Sequence, residues 1–299
     1  LSINEDVLVS KKAWQTGGSK MFIEVGKKVK VSDLLHGIIT SSGNDASVAI
    51  AEHISGDEET FAIYMNQMAQ NLGMNDTNYA NSTGLPDDDL YTSAKDIALL
   101  SRSLIKDFPK KYKLYSKKEY VYNEIKQYSR NKLLYIDDTV DGIKTGFTKK
   151  AGYCLVTSAQ RGKRRLISVV MGAKSPEART NASKSLLEYG FRFYETHKVF
   201  KATDIITTAR VFNGDKQEVG LVVKEDSYIA IPRRQIKNIK KTFVIDQNLS
   251  APISDDEAVG YVAIKLNDNT LTTIKLYSAE TVSEGNLYRR TIDSIIKKF

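Results

Sequence analysis

The spacing of apolar residues changes near residue 200, and this switch most limits what the chain can become. Before it, apolar positions recur at helical intervals or gather in short runs. After it they fall in short alternating segments. Helical and period-two patterns bury their faces in different ways, so the switch calls for a mixed α+β body followed by an all-β one. With 299 residues, the chain can bury a substantial core in each. Asp33 to Ile50 reads as helical with Ser32 as its cap, interrupted by small polar residues from Ser41 to Asp45. Asp57 to Leu72 places Phe61, Tyr64, Met65, Met68 and Leu72 at helical spacing. Ser93 to Lys106 is amphipathic, capped by Thr92 or Ser93 and stopped near Pro109. The runs Tyr153 to Thr157 and Leu166 to Met171 flank the Gly162-Lys163 turn and predict a hairpin, with a further helix over Ala182 to Tyr194.

Composition excludes several classes. Hydrophobic residues at 41% and charged residues at 27% fit a globular chain rather than a disordered one. No apolar run reaches the roughly 18 residues that would predict a membrane-spanning helix. The single cysteine, Cys154, rules out an intrachain disulfide and a cysteine-based zinc cluster. Its apolar surroundings predict a buried small side chain rather than a thiol nucleophile. His36, His53 and His197 lack ligand spacing, and neither a metal nor a cofactor is expected. The net charge of +8 favours anionic partners, but no nucleic-acid-binding motif accompanies it, so nucleic acid is not an expected partner.

Two triplets carry chemistry. Ser42-Gly43-Asn44 lies where a helix gives way to a tight turn, so a hydroxyl and an amide two residues apart can face one cleft. Lys144-Thr145-Gly146 precedes an apolar strand. The lysine supplies positive charge for a carboxylate, the threonine a hydroxyl, and the glycine close backbone approach. Alone, each triplet is no more than a cap or a turn. In this order they match two of the three motifs that mark serine β-lactamases and penicillin-binding proteins.

The chain resembles the low-molecular-mass penicillin-binding proteins, the D-alanyl-D-alanine carboxypeptidases. The likeness extends to Met21-Phe22, Leu35 to Ala49, Tyr91 to Leu100, Val140 to Gly146, Arg165 to Gly172 and Tyr189 to Phe193. It implies a transpeptidase-like domain over 1–199, an antiparallel sheet flanked by helices. A small all-β domain over 200–283 and an amphipathic C-terminal helix over 284–299 would follow.

The resemblance also implies roles. Ser42 would relay a proton, Asn44 would hold a substrate amide, and Lys144 with Thr145 would face the terminal carboxylate of a peptidoglycan pentapeptide or a β-lactam. Gly146 would let the substrate backbone approach the strand, and the Phe147 N–H would supply one oxyanion donor. Arg179 would stand near the carboxylate, and Arg130 at the cleft. The family often has histidine where this chain has Phe147.

The family's nucleophile sits in a Ser-x-x-Lys tetrad upstream of the Ser-x-Asn triplet. Residues 1–41 contain none. The tetrads Ser103 to Lys106, Ser129 to Lys132 and Ser294 to Lys297 all come later and are expected to be coincidental. The nucleophile is therefore expected upstream of Leu1, in a chain that opens without Met or a signal peptide and reads as a fragment or processed product. By itself the chain is expected to resist labelling by fluorescent penicillin.

A class A β-lactamase would need Glu-x-x-Leu-Asn between the triplets, and none occurs. A non-catalytic module binding β-lactams or peptidoglycan is the other alternative. At the C-terminus, Tyr288, Ile292, Ile295, Ile296 and Phe299 form one apolar stripe. Either it docks on its own domain, or it lies in a membrane surface. The resemblance favours peripheral contact with the inner membrane at its periplasmic face.

Overall fold

The structure, a computed structural model, describes residues 1–202 and 204–296. The chain forms two compact units, Leu1–Gly190 and Phe191–Phe299. The division precedes residue 200 because the strand Tyr194–Phe200 pairs with Ser227–Pro232 and so belongs to the second unit.

In the first unit the strands Asp6–Leu8 and Lys28–Lys30 pair antiparallel. The chain then runs directly into the helix Val31–His36, and Lys30, not Ser32, holds the cap position without a side-chain bond. The predicted Ser32 cap is unnecessary. The N–H groups of Val31 and Ser32 donate to the carbonyls of Glu5 (2.9 Å) and Ile3 (2.9 Å), so backbone already satisfies these orphan donors.

Where local chemistry decides, expectation and structure agree. Asp57 caps the helix Glu58–Asn71 by accepting the Thr60 N–H at 2.7 Å, and Glu58 and Glu59 favour the same end. Ser93 caps Ala94–Asp107 by accepting the Asp96 N–H at 3.2 Å. That helix ends at Phe108, just before Pro109.

Three antiparallel strands in sequential order, Val140–Thr148, Gly152–Arg161 and Arg164–Ala173, make the sheet of this unit. The last two form the expected hairpin, with Arg161 opposite Arg164 across the turn. The helix Ala94–Asp107 packs on Arg164–Ala173. A separate apolar cluster holds Val7, Met21, Val29, Leu34, Val48 and Ala49 together, joining the N-terminal strands to the helix Asn44–Ser55.

The second unit is a five-stranded antiparallel sheet ordered Ile239–Ile245, Ala258–Leu266, Asn269–Ser278, Glu218–Val222 and Thr207–Arg210, with the two-stranded pair described above. Leu221, Ile231, Val262, Ile264 and Leu276 fill its core. The helix Leu287–Ile296 follows. Of the predicted terminal stripe, Phe299 and the side chains of Ile295 and Ile296 lie outside the described residues, as does Lys297 of the third tetrad.

Candidate active site

Ser42 sits where one helical path is broken and another begins. After Val31–His36 the chain widens into a π-turn over Gly37–Ser41, closed by the Gly43 N–H donating to the Gly37 carbonyl at 3.1 Å. Such wide turns recur at functional sites because they re-aim a side chain without ending the helix. Ser42 takes a left-handed conformation with φ of 59°. A residue other than glycine pays roughly 1–3 kcal/mol for such a backbone, which persists only where its surroundings enforce it. The helix Asn44–Ser55 then starts at once.

The Asn44 N–H donates to the Ser19 carbonyl at 2.8 Å, and its side-chain Nδ2 donates to the Gly17 carbonyl at 2.8 Å. Asn44 is buried, with its Oδ1 lacking a hydrogen-bond partner among the described residues. The amide is thereby oriented with an acceptor to spare.

Lys144 comes from the strand Val140–Thr148, which lies at an edge of the three-stranded sheet. Lys144 sits opposite Val156, Thr145 opposite Leu155 and Gly146 opposite Cys154. The Lys144 Nζ donates to the Ser42 Oγ and to the Thr145 carbonyl, the latter at 3.1 Å. Fold thus joins the two triplets that sequence keeps far apart. Burial, then the positive charges of Arg130 and Arg179, pull the Lys144 ammonium down to about 8. At neutral pH it is mostly charged but readily gives up a proton.

Both arginines reach this region. Arg179 is buried, and its Nη1 donates to the carbonyls of Gly146 (3.2 Å) and Cys154 (3.3 Å), bridging two strands. Burial lowers its own proton affinity. Arg130 is exposed and its Nη1 donates to the Ser19 Oγ at 2.9 Å. Phe147 stacks on Tyr153 with ring centroids 4.2 Å apart and stays 54% exposed, so its ring faces solvent. Tyr153 also lies 5.5 Å from the Arg179 guanidinium carbon. The Thr145 hydroxyl has no hydrogen-bond partner among the described residues, which leaves it available to a ligand.

A polar network supports this strand one turn of sequence earlier. Arg165 grips Asp141 through contacts of 2.8 and 2.7 Å and donates to the Ser158 Oγ at 2.5 Å and the Gln160 Oε1 at 2.6 Å. The Tyr112 hydroxyl donates to Asp141 at 2.9 Å. One guanidinium thus ties all three strands together. Burial, with Asp141 beside it, pushes the Tyr112 phenol well above its usual range. The Asn131 side chain donates to the Gly142 carbonyl at 3.0 Å from a buried position.

The later Ser-x-x-Lys tetrads have other occupations. Ser103 donates to Asp107 at 2.5 Å along an exposed helical turn. The Ser129 Oγ accepts the Asn131 N–H at 3.3 Å within a loop. Sequence reasoning overlooked Ser19 and Asp45. Ser19 supplies two oxygens to the site, and Asp45 is a fully buried carboxylate. Apart from the Ala46 N–H beside Asp45, their partners lie more than 20 residues away in sequence, so no local pattern reveals them.

Comparison with known proteins decides the family. A family model described as D-alanyl-D-alanine carboxypeptidase matches residues 1–175. The chain belongs to the D-alanyl-D-alanine carboxypeptidase family of serine peptidases. A second model, the C-terminal domain of penicillin-binding protein 5, matches residues 194–284. Among relatives of this family, the Escherichia coli D-alanyl-D-alanine carboxypeptidase DacC is 40% identical, the match covering 100% of this chain and 77% of the relative. Bacillus subtilis DacF is 34% identical over 95% of this chain and 75% of its own length. The crystal structure of penicillin-binding protein 5 from Haemophilus influenzae superposes with a TM-score of 0.86 at 40% identity. That match covers 94% of this chain and 84% of the solved one. The predicted α+β fold with a C-terminal β domain therefore stands, as does the family resemblance.

Proposed function

We propose that Ser42, Asn44 and Lys144 form the proton-relay and substrate-positioning side of a serine D-alanyl-D-alanine carboxypeptidase acting on peptidoglycan pentapeptides. The observation that carries this is the hydrogen bond from Lys144 to Ser42, which unites the two triplets at one place. In the reaction a serine hydroxyl attacks the carbonyl of the penultimate D-Ala. The terminal D-Ala leaves as its amine takes a proton, and water then hydrolyses the acyl-enzyme. Ser42, bonded to a lysine that readily exchanges its proton, is suited to pass that proton to the departing amine. The spare Oδ1 of Asn44 is suited to accept a substrate N–H.

Carboxylate recognition falls to the Thr145 hydroxyl and the cationic field of Lys144, Arg130 and Arg179. The side of the strand Val140–Thr148 that pairs with no other strand among the described residues offers backbone N–H groups for an incoming peptide, with Gly146 leaving room and the Phe147 N–H serving the developing oxyanion. A β-lactam, which carries a carboxylate beside a reactive amide, fits the same groups. A purely binding role without catalysis gains no support from the family membership.

The test uses the full-length protein. Fluorescent penicillin should acylate it, and Lys144→Ala should sharply reduce both acylation and D-Ala release. Unchanged turnover in that variant would remove Lys144 from the mechanism.

The C-terminal segment supports a peripheral contact with the inner membrane, on its periplasmic face where peptidoglycan lies. No helix among the described residues is long and apolar enough to cross a membrane. The helix Leu287–Ile296 turns its polar Asp293 inward, where it accepts the Asn213 N–H at 2.6 Å. Leu287 and Tyr288 are 81% and 77% exposed, and Ile292 is exposed as well. The helix is held by a carboxylate while apolar side chains face outward, as membrane contact requires. Deleting 284–299 should move the protein from membrane to soluble fractions, and retention at the membrane would dismiss the anchor.

A further inference from the structure

The Asp45 carboxylate is fully buried and belongs to no motif read from the sequence. A carboxylate in the first turn of a helix ordinarily serves the local N–H groups and the helix dipole. Asp45 does this in part, since its Oδ1 accepts the Ala46 N–H at 2.9 Å. Its other partners lie elsewhere in the chain. Oδ1 also accepts the Met21 N–H at 2.8 Å, and Oδ2 accepts the N–H groups of Phe22 at 2.9 Å and Ile23 at 3.3 Å. One carboxylate thus binds three successive amides of a distant loop.

That loop is strained, and it touches the site at several points. The strain lies at Phe22, which has φ of 70° although it is not glycine, whereas Gly18 reaches φ of 80° at no steric cost. Without a fixed anion gathering its N–H groups, such a segment would relax. The same loop presents the Gly17 carbonyl to the Asn44 Nδ2, the Ser19 carbonyl to the Asn44 N–H and the Ser19 hydroxyl to Arg130. Packing allows little slack. A Cβ on Gly43 would stand 2.9 Å from the Asp45 Oδ1, and one on Gly18 would stand 2.6 Å from the Asn44 Nδ2. Loop and triplet are therefore one interlocked object, with the Asp45 carboxylate as its pin.

We infer that Asp45 is a positioning residue for the carboxypeptidase reaction: by clamping the loop 17–23 against Ser42-Gly43-Asn44, it aims the Asn44 amide at the substrate. Asp45 itself touches no substrate. It acts through Gly17 and Ser19, whose carbonyls hold Asn44 with Oδ1 left free. This inference rests on the role proposed for Asn44 above. Asparagine at position 45 would replace one acceptor oxygen with an NH2 group facing backbone donors. At least one loop amide would then lose its partner while side-chain volume is kept.

The experiment is a double-mutant cycle on the full-length protein, comparing the parent with Asn44→Ala, Asp45→Asn and the combined variant. D-Ala release kinetics, the rate of acylation by fluorescent penicillin and the thermal midpoint are measured for each. Asp45→Asn should lower kcat/KM by roughly 10- to 100-fold, the scale of an ångström-sized misplacement. In the Asn44→Ala background the same change should cost less than about twofold, because the group it aims is gone. An equal loss in both backgrounds, or a folded Asp45→Asn protein with full activity, would overturn the inference. If Asn44→Ala is active while Asp45→Asn is impaired, the Asn44 role fails and this inference with it. If Asn44→Ala is impaired while Asp45→Asn is not, only the inference fails. Should Asp45→Asn not fold, Gly18→Ala crowds the Asn44 amide from the loop side. It should give the same loss confined to the Asn44 background, and an additive or absent loss would be equally fatal.

Discussion

The two units of the chain bury different chemistry. In Leu1–Gly190 the buried residues include Thr40, Ser41, Asn44, Asp45, Asp96, Asn131, Ser158 and Arg179. In Phe191–Phe299 the buried polar residues among those described are only Ser278 and Asp293, while the buried hydrophobic residues are Val, Ile, Leu and Phe with the two alanines Ala209 and Ala263. Buried polar groups must find partners, and each partner fixes a direction as well as a distance. An apolar core needs only volume and pattern. The first unit therefore spends its interior on aiming side chains, and the second on holding a shape. Substitutions should separate accordingly, with activity lost before stability in the first and stability before activity in the second.

The largest expected effect tests the first half of that contrast. Lys144→Ala in the full-length protein should lower kcat/KM for D-Ala release by roughly 10³-fold, the scale of removing one preorganised electrostatic group. Its thermal midpoint should hardly fall, because removing a buried ammonium relieves a desolvation cost. A large midpoint drop with intact kinetics would reverse the contrast.

Leu276→Ala tests the other half. Leu276 is fully buried in the β unit, and truncation should cost about 2–5 kcal/mol of that unit's stability by denaturant unfolding. D-Ala release by the folded fraction should be unchanged.

Next comes pH. The Lys144 ammonium is lowered to about 8 by burial and two arginines, against an unfolded value near 10.5. Because its folded value is depressed, Lys144 carries less charge in the folded protein across the window between them. The unfolded chain then binds more protons, so this residue's contribution makes stability rise with pH from about 8 to 10.5. The carboxylate binding proposed for Lys144 would have the opposite sense, since the attracting charge is lost above about 8. The profile of kcat/KM should therefore show a basic limb there. Lys144→Arg should remove that limb, and a limb that persists would belong to another group.

The smallest effect concerns the terminal helix. Tyr288→Ser leaves the Asp293 bond to Asn213 in place and should leave D-Ala release unchanged. It should weaken sedimentation with anionic lipid vesicles by only a few fold, about what losing one exposed aromatic side chain implies. A loss of turnover would mean that the helix serves the active site.

How much of this was legible beforehand depended on the range of the interaction. The helices over Glu58–Asn71 and Ala94–Asp107 could be read because Asp57 and Ser93 bond amides three residues away. The hairpin at Gly162-Lys163 was equally local. The Ser32 cap failed because its competitors, the carbonyls of Ile3 and Glu5, arrive from the segment leading into the strand Asp6–Leu8. The strand Tyr194–Phe200 shifted the division between units because its pairing partner begins at Ser227.

Ser42-Gly43-Asn44 and Lys144-Thr145-Gly146 were visible as triplets, and together with their flanks they identified the family. By itself the sequence determined the two kinds of body, the capped helices and the chemical vocabulary of the site, since all of these rest on residue type and spacing along one chain. Only the tertiary structure decided that Lys144 bonds Ser42, that Arg179 reaches across two strands, and that Asp45 pins a loop more than 20 residues upstream. Hydrogen bonds and charges act over a few ångströms of space, and separation along the sequence says little about which groups will come that close.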